Sequence, residues 1–333
     1  MFRTLKSLIL FGVLAILAAG GWLWWFATSP LQVGAPAVEF TIPPGSSLRA
    51  ASRAIARAGV DMRPWAFEVL GRIAGQPARI KAGQYEVRAG MTPLDVLGKL
   101  ARGDVVLTEI KFIEGWSFKQ VREALDAHPH VRHDTRGLTD GEVMRRLEAA
   151  RENPEGLFFP DTYRFAKGGS DLEVLRSAYR AMTKRLDAAW AQRQPELPLG
   201  SPYEALILAS IVEKETGRAE ERTMIAAVLL NRLRAGIKLQ ADPTVIYGLG
   251  SAFDGNLRKR DLIADTPYNT YTRDGLPPTP IALPGLASIE AVTNPARTDA
   301  LYFVARGNGT SEFSRTLEEH NRAVTKYQLG GRR

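Results

Sequence analysis

Acidic side chains in an otherwise apolar helical stretch are the residues of this chain best suited to chemistry. The stretch from Pro202 to Gly217 reads SPYEALILASIVEKETG from Ser201. Wound as a helix, it places Leu208, Ile211 and Val212 at i, i+3 and i+4, and Glu215 falls next in that series at i+7. Glu213 lies roughly 160° away, near Leu206 and Ser210, on what the pattern predicts to be the more exposed side. A carboxyl held against aliphatic side chains is harder to ionise, which makes Glu215 a candidate proton donor near neutral pH. A buried Lys or Arg paired with it would give the same pattern a purely structural meaning.

Downstream, Asn231 stands among Val228, Leu229, Leu230 and Leu233, either on a solvated face or as a positioned hydrogen-bonding group. The chain then changes character. LQADPTVIYGLG (Leu239 to Gly250), DTPYNTYTRDGLPPTPIALPG (Asp265 to Gly285) and NPARTDALYFVARG read as loop and strand segments rich in Pro, Gly, Asn, Thr and Tyr. Long turn-rich connections of this kind are commonly functional. Their hydroxyls and amides, beside Tyr247, Tyr268 and Tyr271, suit a polyhydroxylated substrate better than an apolar or phosphorylated one. Asp242 reads as a turn-forming Asp before Pro243, and as the second carboxylate if water is the nucleophile.

Several chemistries find no footing. There is no cysteine, so neither disulfides nor thiolate metal sites are available. His128, His130 and His133 cluster in HPHVRH, but the intervening Pro129 argues for a loop rather than a metal site. No glycine-rich phosphate loop or Ser-His-Asp order is present, and no cofactor is expected. The formal charge of +8 over 333 residues suits anionic partners. Without a long basic run or an aromatic-interleaved basic stripe, nucleic acid is not expected among them.

The elements that must hold these residues begin at the N-terminus. After Arg3 and Lys6 no charge occurs until Glu39, and Leu8 to Phe26 is almost wholly apolar. That length spans a ~30 Å hydrocarbon layer. Trp22, Trp24 and Trp25 crowd the far end, where an aromatic belt belongs, and the basic residues before the span predict a cytoplasmic N-terminus. The run is longer than a signal-peptide core and lacks a small-x-small cleavage site, so an uncleaved anchor is expected.

From Glu39 to about Ala127 a strand, Gly turn, hydroxyl cap and helix recur around Gly45, Gly90 and Gly115. Ser47, Thr92 and Ser117 follow each glycine at the capping position. Ala51, Val96 and Val121, then Ile55, Leu100 and Leu125, mark the buried helical face. The first two copies resemble small glycan-groove modules of LysM type, interrupted by an insertion from Arg63 to Arg79. Residues 128–169 read as a connector ending in GLFFPDTYRFAKG, whose Phe158, Phe159, Tyr163 and Phe165 read as a packing plug, with a sugar-cleft wall as the alternative. Asp171 to Trp190 reads as one amphipathic helix, and Met224 to Leu233 as another.

IVEKET (Ile211 to Thr216), NRL (Asn231 to Leu233), LQADPTVIYGLG, YNTYT (Tyr268 to Thr272), GLPPTPI (Gly275 to Ile281) and YFVARG (Tyr302 to Gly307) resemble the YceG-like family of endolytic murein transglycosylases. The resemblance covers residues 80 to 328, more loosely before that. It implies cleavage of the β-1,4 bond between N-acetylmuramic acid and N-acetylglucosamine in nascent glycan strands, leaving 1,6-anhydromuramic ends. It implies Glu215 as the catalytic acid and base, and Asn231, Gln240, Asp242, Thr244, Tyr247, Asn269 and Tyr271 as substrate-binding positions. No metal is implied. The expected partners are peptidoglycan strands, the lipid bilayer through one helix, and neighbouring peptidoglycan synthases.

The expected architecture is α+β. It comprises a single N-terminal transmembrane helix in residues 1–30, a LysM-like βα region in 31–127, the connector in 128–169 and a lysozyme-like mixed catalytic domain in 170–333. The protein is expected in the cytoplasmic (inner) membrane as a single-pass protein with its catalytic part on the extracytoplasmic, periplasmic side.

Overall fold

The apolar N-terminal run winds into α1 (Phe2–Thr28). By length and composition, its residues Thr4–Thr28 make the one helix among the described residues able to cross a membrane. The computed structural model describes residues 2–75, 80–215 and 217–329. Thr216 of the IVEKET motif and the last part of the Arg63–Arg79 insertion lie outside the described residues. The fold is a mixed α+β one, and the chain divides into two compact units. Met1–Glu109, His130–Arg132 and Arg164–Gly169 form the first; Ile110–Pro129, His133–Tyr163 and Ser170–Arg333 form the second.

In the first unit α1 is followed by β1 (Gln32–Val33), β2 (Ala37–Ile42), α2 (Leu48–Arg57), β3 (Val60–Asp61), α3 (Pro64–Ile73), β4 (Gly83–Arg88) and α4 (Pro93–Arg102). Short β1 pairs with β3, and β2 pairs antiparallel with β4, setting Ala37 opposite Arg88 and Ile42 opposite Gly83. The helical insertion α3 therefore fills the gap between the first two glycine-turn copies. Gly45 and Gly90 turn in the left-handed region that favours glycine. Ser47 and Thr92 then cap α2 and α4, and Ala51, Ile55, Val96 and Leu100 enter the core as their spacing predicts. The C-terminal end of α1 joins the same core through Phe26 and Ala27, followed by Leu31 just beyond the helix. The three tryptophans there have separate fates. Trp24 and Trp25 are exposed, whereas Trp22 stacks on Phe26 and on Trp65 of α3.

β5 (Leu107–Lys111) pairs with β6 (Thr162–Ala166). The third glycine-turn copy, with Gly115, Ser117 and α5 (Phe118–Ala127), belongs to the second unit. The reason is local. Gly115 N donates to Leu283 O, Phe118 stacks on Phe158 at 4.9 Å, and Phe118 N donates to the carboxyl of Glu155. Phe158 and Phe159 are buried, and Tyr163 donates to Phe159 O, so these three aromatics pack within this unit, whereas Phe165 belongs to the first.

The unit continues through α6 (Asp140–Arg146), α7 (Asp171–Ala191), α8 (Pro202–Glu215), α9 (Arg222–Arg234), α10 (Asp242–Leu249), α11 (Lys259–Ile263), α12 (Leu286–Thr293), β7 (Tyr302–Ala305), β8 (Ser311–Ser314) and α13 (Leu317–Val324). β7 and β8 pair antiparallel. Helix α8 is the centre, packed by α7, α9, α10 and α12. Every residue from Ala205 to Val212 is buried, because a helix apolar on all sides belongs in the middle of a core. Residues 242–249, expected as loop or strand, form α10 instead. Pro243 is pre-set for a first helical turn, and Asp242 places a carboxylate at its positive end.

Candidate active site

The central position of α8 corrects the reading of Glu213. With Leu206 and Ser210 fully buried, that side of the helix is interior too, and the Glu213 side chain is only 7% exposed. Its carboxylate accepts hydrogen bonds from Gly285 N at 2.9 Å and Ser288 Oγ at 2.7 Å, with Arg222 at 3.7 Å. Glu213 is thus a tie between α8 and the start of α12. One oxygen accepts both hydrogen bonds and the other faces the Arg222 guanidinium.

Glu215, two residues on, ends α8 at the wall of a cavity of about 320 Å³. The cavity is lined by Leu229, Arg232, Leu239, Gln240, Asp242, Tyr271, Leu301, Tyr302, Phe303 and His320 as well. Burial, with the negative charge of Asp242 added, pushes the Glu215 carboxyl up from 4.5 to about 7. Among the described residues no hydrogen-bond donor holds it. A partly buried acid that opens on a cavity and keeps its proton near neutrality can give that proton to a bound ligand.

Asp242 opens α10 on the same cavity and accepts from the Tyr271 hydroxyl. Burial and that neighbouring carboxylate raise the Tyr271 phenol well above its ordinary range, so it stays a donor. Gln240 lies beside them with a φ of 53°, a left-handed backbone that costs a non-glycine residue on the order of 1 kcal/mol. Gln240 N donates to Thr270 O and its side-chain oxygen accepts from Arg232, which together pay this cost.

The other expected site positions stand behind the cavity or away from it. Asn231 donates to Thr298 O and Ala300 O and accepts from Arg234, so the polar residue inside α9 is a hydrogen-bonding group. Asn269 is fully buried. Its amide reaches the carbonyls of Asp261, Leu262 and Ala264, and its oxygen accepts from Tyr271 N, setting the loop that presents Tyr271. Thr244, also fully buried, bonds Ala241 O and Thr270. Tyr247 points to a different cavity, where it packs edge-on to Tyr268 and donates to Glu155 at 3.0 Å. Glu155 had no signal in the local sequence. Burial pushes it up to about 7 as well, against the opposing pull of Phe118 N and Tyr247.

Arg232 is the principal residue missed. It is 8% exposed, donates to Leu301 O, Leu239 O and Gln240, and lies 5.1 Å from the ring of Tyr302. Tyr302 in turn stacks on His320 at 5.3 Å. A cation inside the NRL motif was the only hint, since its partners lie in the loop before α10 and at the start of β7.

Fold and cavity together define an α+β protein in which Glu215, without a hydrogen-bond donor among the described residues, stands in a wall of aromatic, amide and cationic side chains. The particular family follows from comparison: the YceG-like family model matches residues 40–326, and the chain belongs to that family. An endolytic murein transglycosylase of Bacillus subtilis is 33% identical over 309 residues, covering 87% of this chain and 84% of its own. One of Streptococcus pneumoniae (strain D39) is 27% identical, covering 94% of this chain, which spans 63% of that protein. The crystal structure of a yceG-like protein from Listeria monocytogenes superposes with a TM-score of 0.54 and 28% identity, covering 86% of this chain and 98% of that one.

Proposed function

We propose that this chain is an endolytic peptidoglycan lytic transglycosylase in which Glu215 acts first as acid and then as base. The observation that carries the reading is the Glu215 carboxyl, kept protonated to about pH 7 and open to the cavity, in a chain whose curated relatives bear that name. Protonated Glu215 gives its proton to the glycosidic oxygen as the bond from C1 of the muramic residue breaks. The resulting carboxylate takes the proton of that residue's 6-hydroxyl while the hydroxyl oxygen bonds to C1. The proton lost in the first half is recovered in the second, and no water is consumed. Because the nucleophile is carried by the substrate, its effective concentration is already high and no second carboxylate is required.

Arg232, Gln240 and the Asp242–Tyr271 pair are suited to hold hydroxyls and acetamido groups, and Tyr302 and Phe303 to pack on pyranose faces. Asn231, Thr244 and Asn269 support these groups from behind, and Tyr247 braces the far end of α10 against Glu155. The membrane part of the proposal rests on α1. It anchors the chain in the cytoplasmic membrane with Arg3 and Lys6 inside and everything after the span outside. The antiparallel β2–β4 pair with its capped helices supports the LysM-like reading of the first unit as a glycan-groove module, and the α8-centred unit is the lysozyme-like catalytic part. Action on nascent strands beside polymerising synthases follows from an anchored enzyme.

Mass spectrometry of glycan strands incubated with the protein and with Glu215→Gln tests the reading. Ends of 1,6-anhydro form, made only by the unmodified protein, support it. Asp242 in the same cavity favours a second reading, a hydrolytic muramidase with a carboxylate pair, and ordinary reducing ends would establish that one instead.

A further inference from the structure

Helix α3 carries an apolar face that the protein leaves uncovered. Ala66, Phe67, Leu70 and Gly71 are buried in the first unit, and Gly71 lies so close on Leu48 that a Cβ would sit 2.5 Å from it. Trp65, Val69 and Ile73 stand at i, i+4 and i+8, one above another on a separate stripe. They are 56%, 38% and 70% exposed. On the other flank Glu68 pairs with Arg72 at i+4 and with Arg49 of α2. The helix thus has three strips: buried, apolar and exposed, and charged.

The depth of that exposed strip is set by α1. The rings of Trp22 and Trp65 stack with centroids 5.1 Å apart and planes within 6°, and the Arg63 guanidinium lies 6.0 Å from the Trp22 ring. From Leu5 to Trp22 a helix rises roughly 26 Å, close to the thickness of the hydrocarbon layer. A spanning α1 therefore carries Trp22 to the outer boundary of the bilayer, and Trp65 goes with it. Exposed Trp24 and Trp25 mark the same level, where amphipathic rings are favoured.

We propose that α3 is an interfacial membrane-binding helix, lying along the outer surface of the bilayer. Trp65, Val69 and Ile73 enter the boundary between acyl chains and headgroups, while Arg63 and Arg72 stay at phosphate level. The occupant of the strip is lipid because the strip continues the surface of the membrane helix on which it is stacked. The inference rests on the reading of α1 as a membrane anchor. The first unit is then held by two attachments, a span and a surface helix, which fix its orientation to the bilayer.

The absence of native cysteine permits a direct test. Leu14→Cys in α1 and Ile73→Cys in α3 are each labelled with a small fluorophore in the full chain, reconstituted in phosphatidylcholine–phosphatidylglycerol vesicles. Lipids bearing a nitroxide high on the acyl chain and aqueous iodide serve as quenchers. The expected result is that nitroxide lipid lowers the Ile73 signal by at least about two-fold, with iodide having little effect, as for groups seated in the headgroup–acyl boundary. Quenching by iodide alone at Ile73, with Leu14 protected from iodide and quenched from the lipid, overturns the docking of α3 and leaves the anchor standing. Protection of Ile73 from both quenchers, with self-quenching that grows with protein density, assigns the strip to a second copy and also overturns it. Iodide quenching at Leu14 removes the anchor itself, and the inference with it.

Discussion

Two carboxyls of the second unit, Glu215 and Glu155, are both pushed up to about 7 by burial, and helix α10 approaches both. At its first residue Asp242 faces the cavity of Glu215; near its other end Tyr247 donates to Glu155. Their surroundings nevertheless differ in kind. Glu155 accepts Phe118 N on one oxygen and the Tyr247 hydroxyl on the other, so it is a node that joins α5, its own loop and α10. Glu215 has no such donor among the described residues and opens on space a ligand can fill. A raised pKa therefore reports burial, and unfilled acceptor positions beside a cavity mark the acid available for chemistry.

The sharpest break of this comparison is Glu215→Gln. General acid catalysis is worth about 10²–10⁴ in rate, and release of 1,6-anhydro ends is expected to fall by that factor. Glu155→Gln keeps an acceptor for Phe118 N and is expected to retain activity within about tenfold of the parent, the span of one modest hydrogen bond. An equal collapse in both variants, with the fold intact by circular dichroism, would erase the distinction.

Stability against pH sharpens the same pair. Each carboxyl has a folded pKa raised from 4.5 to about 7, so its contribution is full below the unfolded value and is lost as pH rises through the folded one. For Glu215 the loss is on the order of 3 kcal/mol at most. Glu215→Gln is expected to match the parent near pH 4.5 and to exceed its stability at pH 8, read as the difference in unfolding midpoints. Glu155→Ala is expected to go the other way near pH 5, losing about 1–3 kcal/mol because Phe118 N and the Tyr247 hydroxyl lose their acceptor.

Local signals in the sequence reached as far as local physics does. Glycine turns with hydroxyl caps located α2, α4 and α5, and the i, i+3, i+4 stripe brought Glu215 forward, because each depends only on neighbours along the chain. The side of α8 carrying Glu213 was misread, since burial on all sides is decided by helices from distant segments and a serine such as Ser210 hides in the core by bonding Ile207 O and Ile281 N. Helix α10 was missed because its turn-like Asp-Pro opening also suits a first helical turn. The motif residues separated only in space: Asn269 serves three carbonyls at the end of α11, while Arg232 meets Gln240 and Leu301 from another element.

The smallest expected effect concerns the neighbour of Glu215. Asp242 raises the Glu215 pKa through its charge, but burial is the larger cause. Asp242→Asn removes the charge and leaves the burial, so the carboxyl moves down from about 7 while staying above 4.5. A general acid must be protonated to act, and activity falls on the alkaline side as it ionises. The alkaline limb of the pH–rate profile is therefore expected to move to lower pH by less than about one unit, a difference below about 1.4 kcal/mol. Tyr271→Phe, which keeps the charge and removes only its hydrogen-bond donor, is expected to leave the limb in place or move it slightly upward. If instead Asp242→Asn costs as much rate as Glu215→Gln at every pH, the two carboxyls act as a pair, and the chemistry is that of a hydrolase with water between them.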